Sequence, residues 1–142
     1  MKTFLATSVY RQNELHLEQV SLSKLANEFG TPLYVYSSDA LVSGFRALDQ
    51  GLSTIPHEIC FAVKSNSNLS ILRLLADEGA GMDIVSGGEL KRALQAGVPA
   101  SRIVFSGVGK TEEEITLALQ ADSGRGIQAF HAESIPELER IE

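Results

Sequence analysis

Four short apolar runs mark the second part of the chain, at residues 59–63, 82–85, 103–105 and 127–130. Each is too short for a helix and bounded by polar or turn residues, so each predicts a buried strand. Their first residues stand 23, 21 and 24 positions apart. After each run the apolar spacing changes to three and four, which predicts helices over 69–78, 87–96, 112–121 and 135–141. In the first of these, Leu69, Leu72 and Leu75 with Ala76 share one face. Three helices open on a capping-box pattern, Ser86-x-x-Glu89, Thr111-x-x-Glu114 and Ser134-x-x-Glu137. Pro136 sits in a first turn, where its missing N–H does no harm. Gly79 and Gly97 stop the first two helices.

The earlier part reads differently, with a division near residue 55. Alternation from Leu15 to Val20 is a weak strand signal. Residues 22–29 predict a short helix stopped by Gly30. Thr31-Pro32 leads into Leu33-Tyr34-Val35-Tyr36, rich in aromatic and β-branched residues and therefore predicted as a strand. A helix follows over 39–52, with Leu41, Phe45, Leu48 and Leu52 at helical spacing and Ser38 as its N-cap.

Alternating strands and helices imply an α/β fold with a parallel sheet. An open doubly wound sheet and a closed (βα)8 barrel both satisfy the spacing, and the even period favours the barrel. A barrel of eight units needs roughly 250 residues, and four units are present. The chain is therefore expected to be the N-terminal part of a longer protein. Its open parallel edges are expected to leave it unstable alone or self-associating.

Composition narrows the partners. The 142 residues are 44% hydrophobic and 21% charged, with a formal net charge of −6 and no basic stripe, which argues against a nucleic-acid surface. Cys60 is the single cysteine, so no intrachain disulfide forms. No apolar window of about 20 residues spans a bilayer, and the opening Met1-Lys2-Thr3-Phe4-Leu5-Ala6-Thr7 turns polar too soon for a signal peptide. A soluble, cytoplasmic protein is expected.

Chemistry in parallel α/β folds gathers at the C-terminal ends of the strands. The polar residues there are Lys64, Ser65 and Asn66; Asp83, Ser86 and Glu89; Ser106, Gly107, Gly109 and Lys110; and His131, Glu133 and Ser134. A lysine closing an apolar strand is the most suggestive, because a desolvated amine becomes a nucleophile that forms Schiff bases. Alternation puts Cys60 and Ala62 on the lysine's face, leaving room for a flat ligand, and puts Asp83 where it would suit a cation such as Lys64. Plainer readings compete. A strand-end lysine is ordinarily solvated, Glu89 is explained by its capping box, and the glycines after Ser106 make either a tight turn or a short phosphate cradle. His131 reads as a satisfied strand-end residue and Cys60 as a small core residue. No metal-ligand spacing occurs.

Together these segments resemble a known family. Phe61-Ala62-Val63-Lys64-Ser65-Asn66, with Ile71-Leu72, Leu75 and Gly79 following, resembles the pyridoxal-phosphate attachment signature of the group IV (fold-type III) decarboxylases acting on ornithine, arginine and diaminopimelate. Within that group, three further segments are similar to the diaminopimelate decarboxylases. They are Asp83-Ile84-Val85-Ser86-Gly87-Gly88-Glu89-Leu90, Phe105-Ser106-Gly107-Val108-Gly109-Lys110-Thr111, and Phe29-Gly30-Thr31-Pro32-Leu33-Tyr34-Val35-Tyr36. The resemblance implies an alanine-racemase-like (βα)8 barrel binding pyridoxal 5′-phosphate, with residues 1–38 associated with a β-sandwich domain and 39–142 forming the first four or so barrel units. It implies that Lys64 is both the catalytic residue and the cofactor's covalent anchor, and that Asp83, Glu89 and Ser106 are cofactor-binding. It also implies a homodimer in the full-length enzyme, with decarboxylation of meso-2,6-diaminopimelate to L-lysine as the reaction. His131 departs from the family's usual Asn in Phe-Asn-Val-Glu-Ser. The remaining parts of the family's site come from later strands, so the 142-residue chain alone is expected to be inactive. Competing expectations are another decarboxylase of the same fold (ornithine, arginine or carboxynorspermidine) and a non-catalytic fragment acting only by association. Alanine racemase fits less well, because Lys64 is followed by Ser-Asn-Ser-Asn and not by Ala-Asp-Ala-Tyr-Gly.

Overall fold

The computed structural model describes residues 8–142; the seven opening residues, and the leader question attached to them, lie outside that range. The chain divides into two compact units, the first ending at Gln50 and the second spanning Gly51–Glu142.

The first unit holds a three-stranded antiparallel sheet, β1 (Ser8–Arg11), β2 (Glu14–Leu17) and β3 (Val20–Ser21), in that order. Arg11 pairs with Glu14, so Gln12 and Asn13 make a two-residue hairpin. Both have positive φ, 50° and 62°, the backbone that a right-twisted two-residue turn requires. The single strand expected over 15–20 is thus two strands, broken where Glu18 turns at φ 54°. Helix α1 (Leu22–Phe29) forms as expected and stops at Gly30, φ 81°. Leu33-Tyr34-Val35-Tyr36 is not a strand. A strand needs a hydrogen-bonded neighbour, no described strand supplies one, and Tyr34 is 84% exposed. Helix α2 (Ser38–Gly51) is capped by Ser37 and not by Ser38: the Ser37 hydroxyl accepts from the Ala40 N–H at 2.9 Å and donates to Glu18 at 2.5 Å.

The second unit is a parallel sheet in sequence order, β4 (Cys60–Ala62), β5 (Gly81–Ile84), β6 (Ile103–Phe105) and β7 (Ala129–Phe130). Helices α3 (Leu69–Asp77), α4 (Gly87–Gln95), α5 (Glu112–Leu119) and α7 (Ile135–Ile141) follow the strands, with a short irregular turn, α6 (Ala121–Gly124), after α5. The expected α/β alternation is therefore present; the first and last strands are two residues shorter than their apolar runs, and the middle two are as long as theirs.

Register sorts the two faces. Phe61 pairs with Met82 and Met82 with Ile103, while Ile84, Phe105 and Phe130 form the next row. Met82, Ile84, Ile103 and Phe105 are fully buried with Leu72, Leu90, Ala93 and Ala118 from the helices, and the Phe105 and Phe130 rings stack at 5.9 Å. This is the core. The opposite row runs Ala62, Asp83, Val104, Ala129. Its side chains are small apart from the acid, as alternation predicts.

The three capping-box patterns resolve into two devices. Thr111 and Glu114 form the full reciprocal box. Ser86 and Ser134 accept from the N–H of Glu89 and Glu137, but both carboxylates reach one residue further back than expected, to the N–H of Val85 and Glu133, each at 2.7 Å.

Candidate active site

Lys64 does not close a strand. β4 ends at Ala62, and Val63–Ser65 is a 3-10 turn. Val63 anchors that turn by complete burial, and the Ser65 hydroxyl donates back to the Ala62 carbonyl at 2.7 Å. Asn66 then accepts from the Asn68 N–H, Asn68 caps α3, and Arg92 on α4 donates to the Ser67 carbonyl at 3.2 Å. The backbone around Lys64 is thus tied down while its side chain is exposed. The expectation of a desolvated amine in an apolar wall is not met in this chain. Among the described residues the Lys64 ammonium has no hydrogen-bond or ion-pair partner, so it is available to a ligand.

Asp83 lies half-buried beside Ala62 on the open face, and its partner is not the lysine. The Ser106 hydroxyl donates to Asp83 Oδ1 at 2.5 Å, and Ser106 Oγ stands 2.8 Å from His131 Nδ1. A serine has one hydroxyl proton. Spending it on the carboxylate leaves the oxygen as acceptor, so His131 Nδ1 carries a proton and donates. Three strand ends, β5, β6 and β7, are joined by this chain of bonds. His131 is a satisfied strand-end residue, as expected, and its partner belongs to the candidate site. Glu89 holds the Val85–Ser86 turn through its bond to the Val85 N–H, so it supports the loop after β5.

In the loop Gly107-Val108-Gly109-Lys110 the first N–H and the lysine are both engaged internally. Glu133 Oε1 already takes the Gly107 N–H at 3.0 Å. The Lys110 ammonium, with its side chain 0% exposed, donates to the Gly107 carbonyl at 2.6 Å, the His131 carbonyl at 2.9 Å and Glu137 Oε1 at 3.0 Å. It also lies 5.5 Å from the centre of the Phe105 ring. All three ammonium protons are satisfied, as a buried cation requires. Glu137, held by the Glu133 N–H and then by Lys110, has its carboxyl below the ordinary 4.5. Glu114 is lowered likewise, by the N–H of Gly87 at 2.7 Å and then that of Thr111. Sequence reasoning missed this wiring. The acids carry a visible cap signal, but nothing local tells that Glu137 meets a lysine 27 residues earlier.

Burial, then the charges of Glu58 and Asp83, pushes the Cys60 thiol above its ordinary 9.0, so it stays protonated and inert. Among the described residues no group of three or more acids, histidines or cysteines is arranged to hold a metal, and no helix is long and apolar enough to cross a membrane.

At this end of the sheet the exposed Lys64 follows the strand that carries Ala62, and Ala62, Asp83, Val104 and Ala129 share one row. Comparison with known proteins identifies the family. The family described as "Pyridoxal-dependent decarboxylase, pyridoxal binding domain" matches residues 39–142, and the chain belongs to it. Among curated relatives, the diaminopimelate decarboxylase of Pseudomonas aeruginosa is 49% identical over 136 residues, covering 96% of this chain and 32% of that protein. That of Aquifex aeolicus is 49% identical over 130 residues, covering 92% and 30%. Among solved structures, an Aquifex aeolicus protein superposes with a TM-score of 0.87 at 46% identity, covering 97% of this chain and 33% of its own. The diaminopimelate decarboxylase of M. jannaschii, in complex with L-lysine, gives 0.84 at 37%, covering 97% and 32%. The chain spans about a third of the length of these relatives.

Proposed function

We propose that this chain is the cofactor-anchoring part of a pyridoxal 5′-phosphate-dependent carboxy-lyase that converts meso-2,6-diaminopimelate to L-lysine and CO2, and that Lys64 is its covalent anchor. The observation that carries the reading is the Lys64 ammonium: exposed and, among the described residues, unpartnered, on a turn fixed by neighbours on both sides. Identity near 50% to diaminopimelate decarboxylases across most of the chain supports the substrate class. The finer architecture we infer is the first part of a (βα)8 barrel from residue 39 onward, residues 1–38 associated with a β-sandwich domain, and a cytoplasmic homodimer for the full-length enzyme.

The residues fit the cofactor. Bound pyridoxal phosphate supplies the electron sink that loss of a carboxylate needs. Lys64 Nζ binds the aldehyde and holds or releases a proton there. Asp83, its Oδ1 fixed by Ser106, sets a negative charge on the same face and favours positive charge near the anchor. Ala62, Val104 and Ala129 leave the face clear for a ring, and Glu89 keeps the loop after β5 in place.

Incubation with pyridoxal phosphate, borohydride reduction and peptide mass mapping tests the anchor. The expected result is one pyridoxyl adduct, on Lys64, absent from Lys64→Ala. Labelling scattered over Lys24, Lys91 and Lys64 alike would overturn it. Release of CO2 by the full-length enzyme is expected from meso-diaminopimelate; release only from ornithine or arginine would reassign the substrate.

A further inference from the structure

We propose that Lys110 is a positioning residue of the cofactor face: its buried ammonium locks the His131 peptide to the Gly107 turn, so that His131, through Ser106, holds the Asp83 carboxylate in one orientation. The inference rests on the reading that this face receives pyridoxal phosphate.

The bonds form a closed ring. Lys110 joins the Gly107 carbonyl of the β6–α5 loop to the His131 carbonyl and the Glu137 carboxylate after β7. Glu137 holds the Glu133 N–H, and Glu133 returns to the Gly107 N–H. Two loops are therefore clamped by one cation and two acids. Ser106 precedes one clamped residue, and His131 is the other. Their side chains meet at 2.8 Å, which depends on both loops keeping their places. Asp83, on β5 and outside the clamp, receives the result as a hydrogen bond at 2.5 Å to Oδ1. Oδ2 takes no hydrogen bond from the clamped loops. A simple folding role would need only that the buried charges be balanced; the geometry does more, because every partner of Lys110 belongs to the segments that carry Ser106 and His131.

The two roles separate in the paired variant Lys110→Met with Glu137→Met. Replacing a buried ion pair by apolar residues of similar volume is often neutral for stability. The expected result is a melting temperature near that of the unaltered protein, but loss of the Nδ1–H signature of His131 in 15N NMR. The yield of borohydride-trapped Lys64 adduct at subsaturating pyridoxal phosphate should also fall several-fold. Ser106→Ala, outside the clamp, should abolish the same histidine signature with at most a small drop in melting. A paired variant with an unaltered histidine signature and adduct yield would overturn the proposal, as would one that stays strongly destabilised, which would make the pair a folding element only. An unaltered protein whose His131 is the Nε2–H tautomer would also overturn it. The histidine measurement needs no cofactor, so failure of Lys64 to label would count against the proposed function alone.

Discussion

The two ends of the parallel sheet are tied by superficially similar pairs, and the pairs are not equivalent. At the C-terminal end Lys110 and Glu137 are 0% and 2% exposed, with every ammonium proton spent. At the N-terminal end Glu58 takes Arg102 at 3.1 Å and Gln128 at 2.6 Å, joining the approaches to β4, β6 and β7, but Arg102 is 39% exposed. A buried ion costs far more to strand without its partner than a solvated one. The end that carries the candidate chemistry is held by charge in a dry setting. The other end is held mainly by close packing of backbone, with its charges as a wet fringe.

Lys110→Met alone is the hardest way to break that contrast. It leaves the Glu137 carboxylate buried beside its Glu133 N–H with no cation, and breaking a buried pair costs about 3–5 kcal/mol. Chemical denaturation should show a loss of that order, recovered when Glu137→Met is added. A loss below about 1 kcal/mol, the range of solvated pairs, would mean the pair is no different from the one at the far end.

Gly81→Val tests what holds the N-terminal end. A Cβ at Gly81 would lie 2.7 Å from the Arg102 carbonyl oxygen and 2.8 Å from the Cys60 sulfur. The Arg102 carbonyl cannot retreat without disturbing the approach to β6, and the Cys60 thiol would have to turn away, so overpacking of about 1–3 kcal/mol is expected in the same denaturation experiment. Gly109→Ala, with no atom within 4 Å of its Cβ, is the matching control at the other end.

Acid sharpens the comparison. Glu137 is lowered by the Glu133 N–H and then Lys110, and Glu58 by Gln128 and then Arg102. A carboxyl depressed in the folded state contributes stability that is complete above its unfolded value, here 4.5, and is lost as pH falls through the folded value. Denaturation midpoints should therefore drop as pH falls below the ordinary 4.5. The Lys110→Met, Glu137→Met pair should flatten that drop. An undiminished drop would assign the acid sensitivity elsewhere.

Much of this was legible in the residues, and the pattern of misses has a physical cause. The strand-helix period, the helix starts at Ser86, Thr111 and Ser134, and the small face of Cys60 and Ala62 are local, set by spacing and alternation. What failed depended on neighbours distant in sequence. Leu33-Tyr34-Val35-Tyr36 has strand propensity but no described strand to pair with. Ser8–Arg11 becomes a strand through its hairpin, although its own residues are exposed. Lys64 looked desolvated because its neighbours are apolar, yet a 3-10 turn lifts it into the open. Lys110, one of the polar residues after the third strand, is consumed internally by a carboxylate whose local signal spoke only of a helix cap.

The smallest effect belongs to Arg102→Ala. Glu58 keeps its 2.6 Å bond from Gln128 when the guanidinium goes, and it remains near solvent, so no charge is stranded. A solvated pair contributes about 0–1 kcal/mol and is screened by salt. The variant should lie within that range of the unaltered protein at low ionic strength, and the gap should close in about 1 M salt, where the screening length is near 3 Å. The Lys110→Met gap should persist at the same salt, because ions cannot enter between groups with no exposed surface. A gap at Arg102 that survives salt would show that the apolar stem of its side chain, and not its charge, is what the N-terminal end uses.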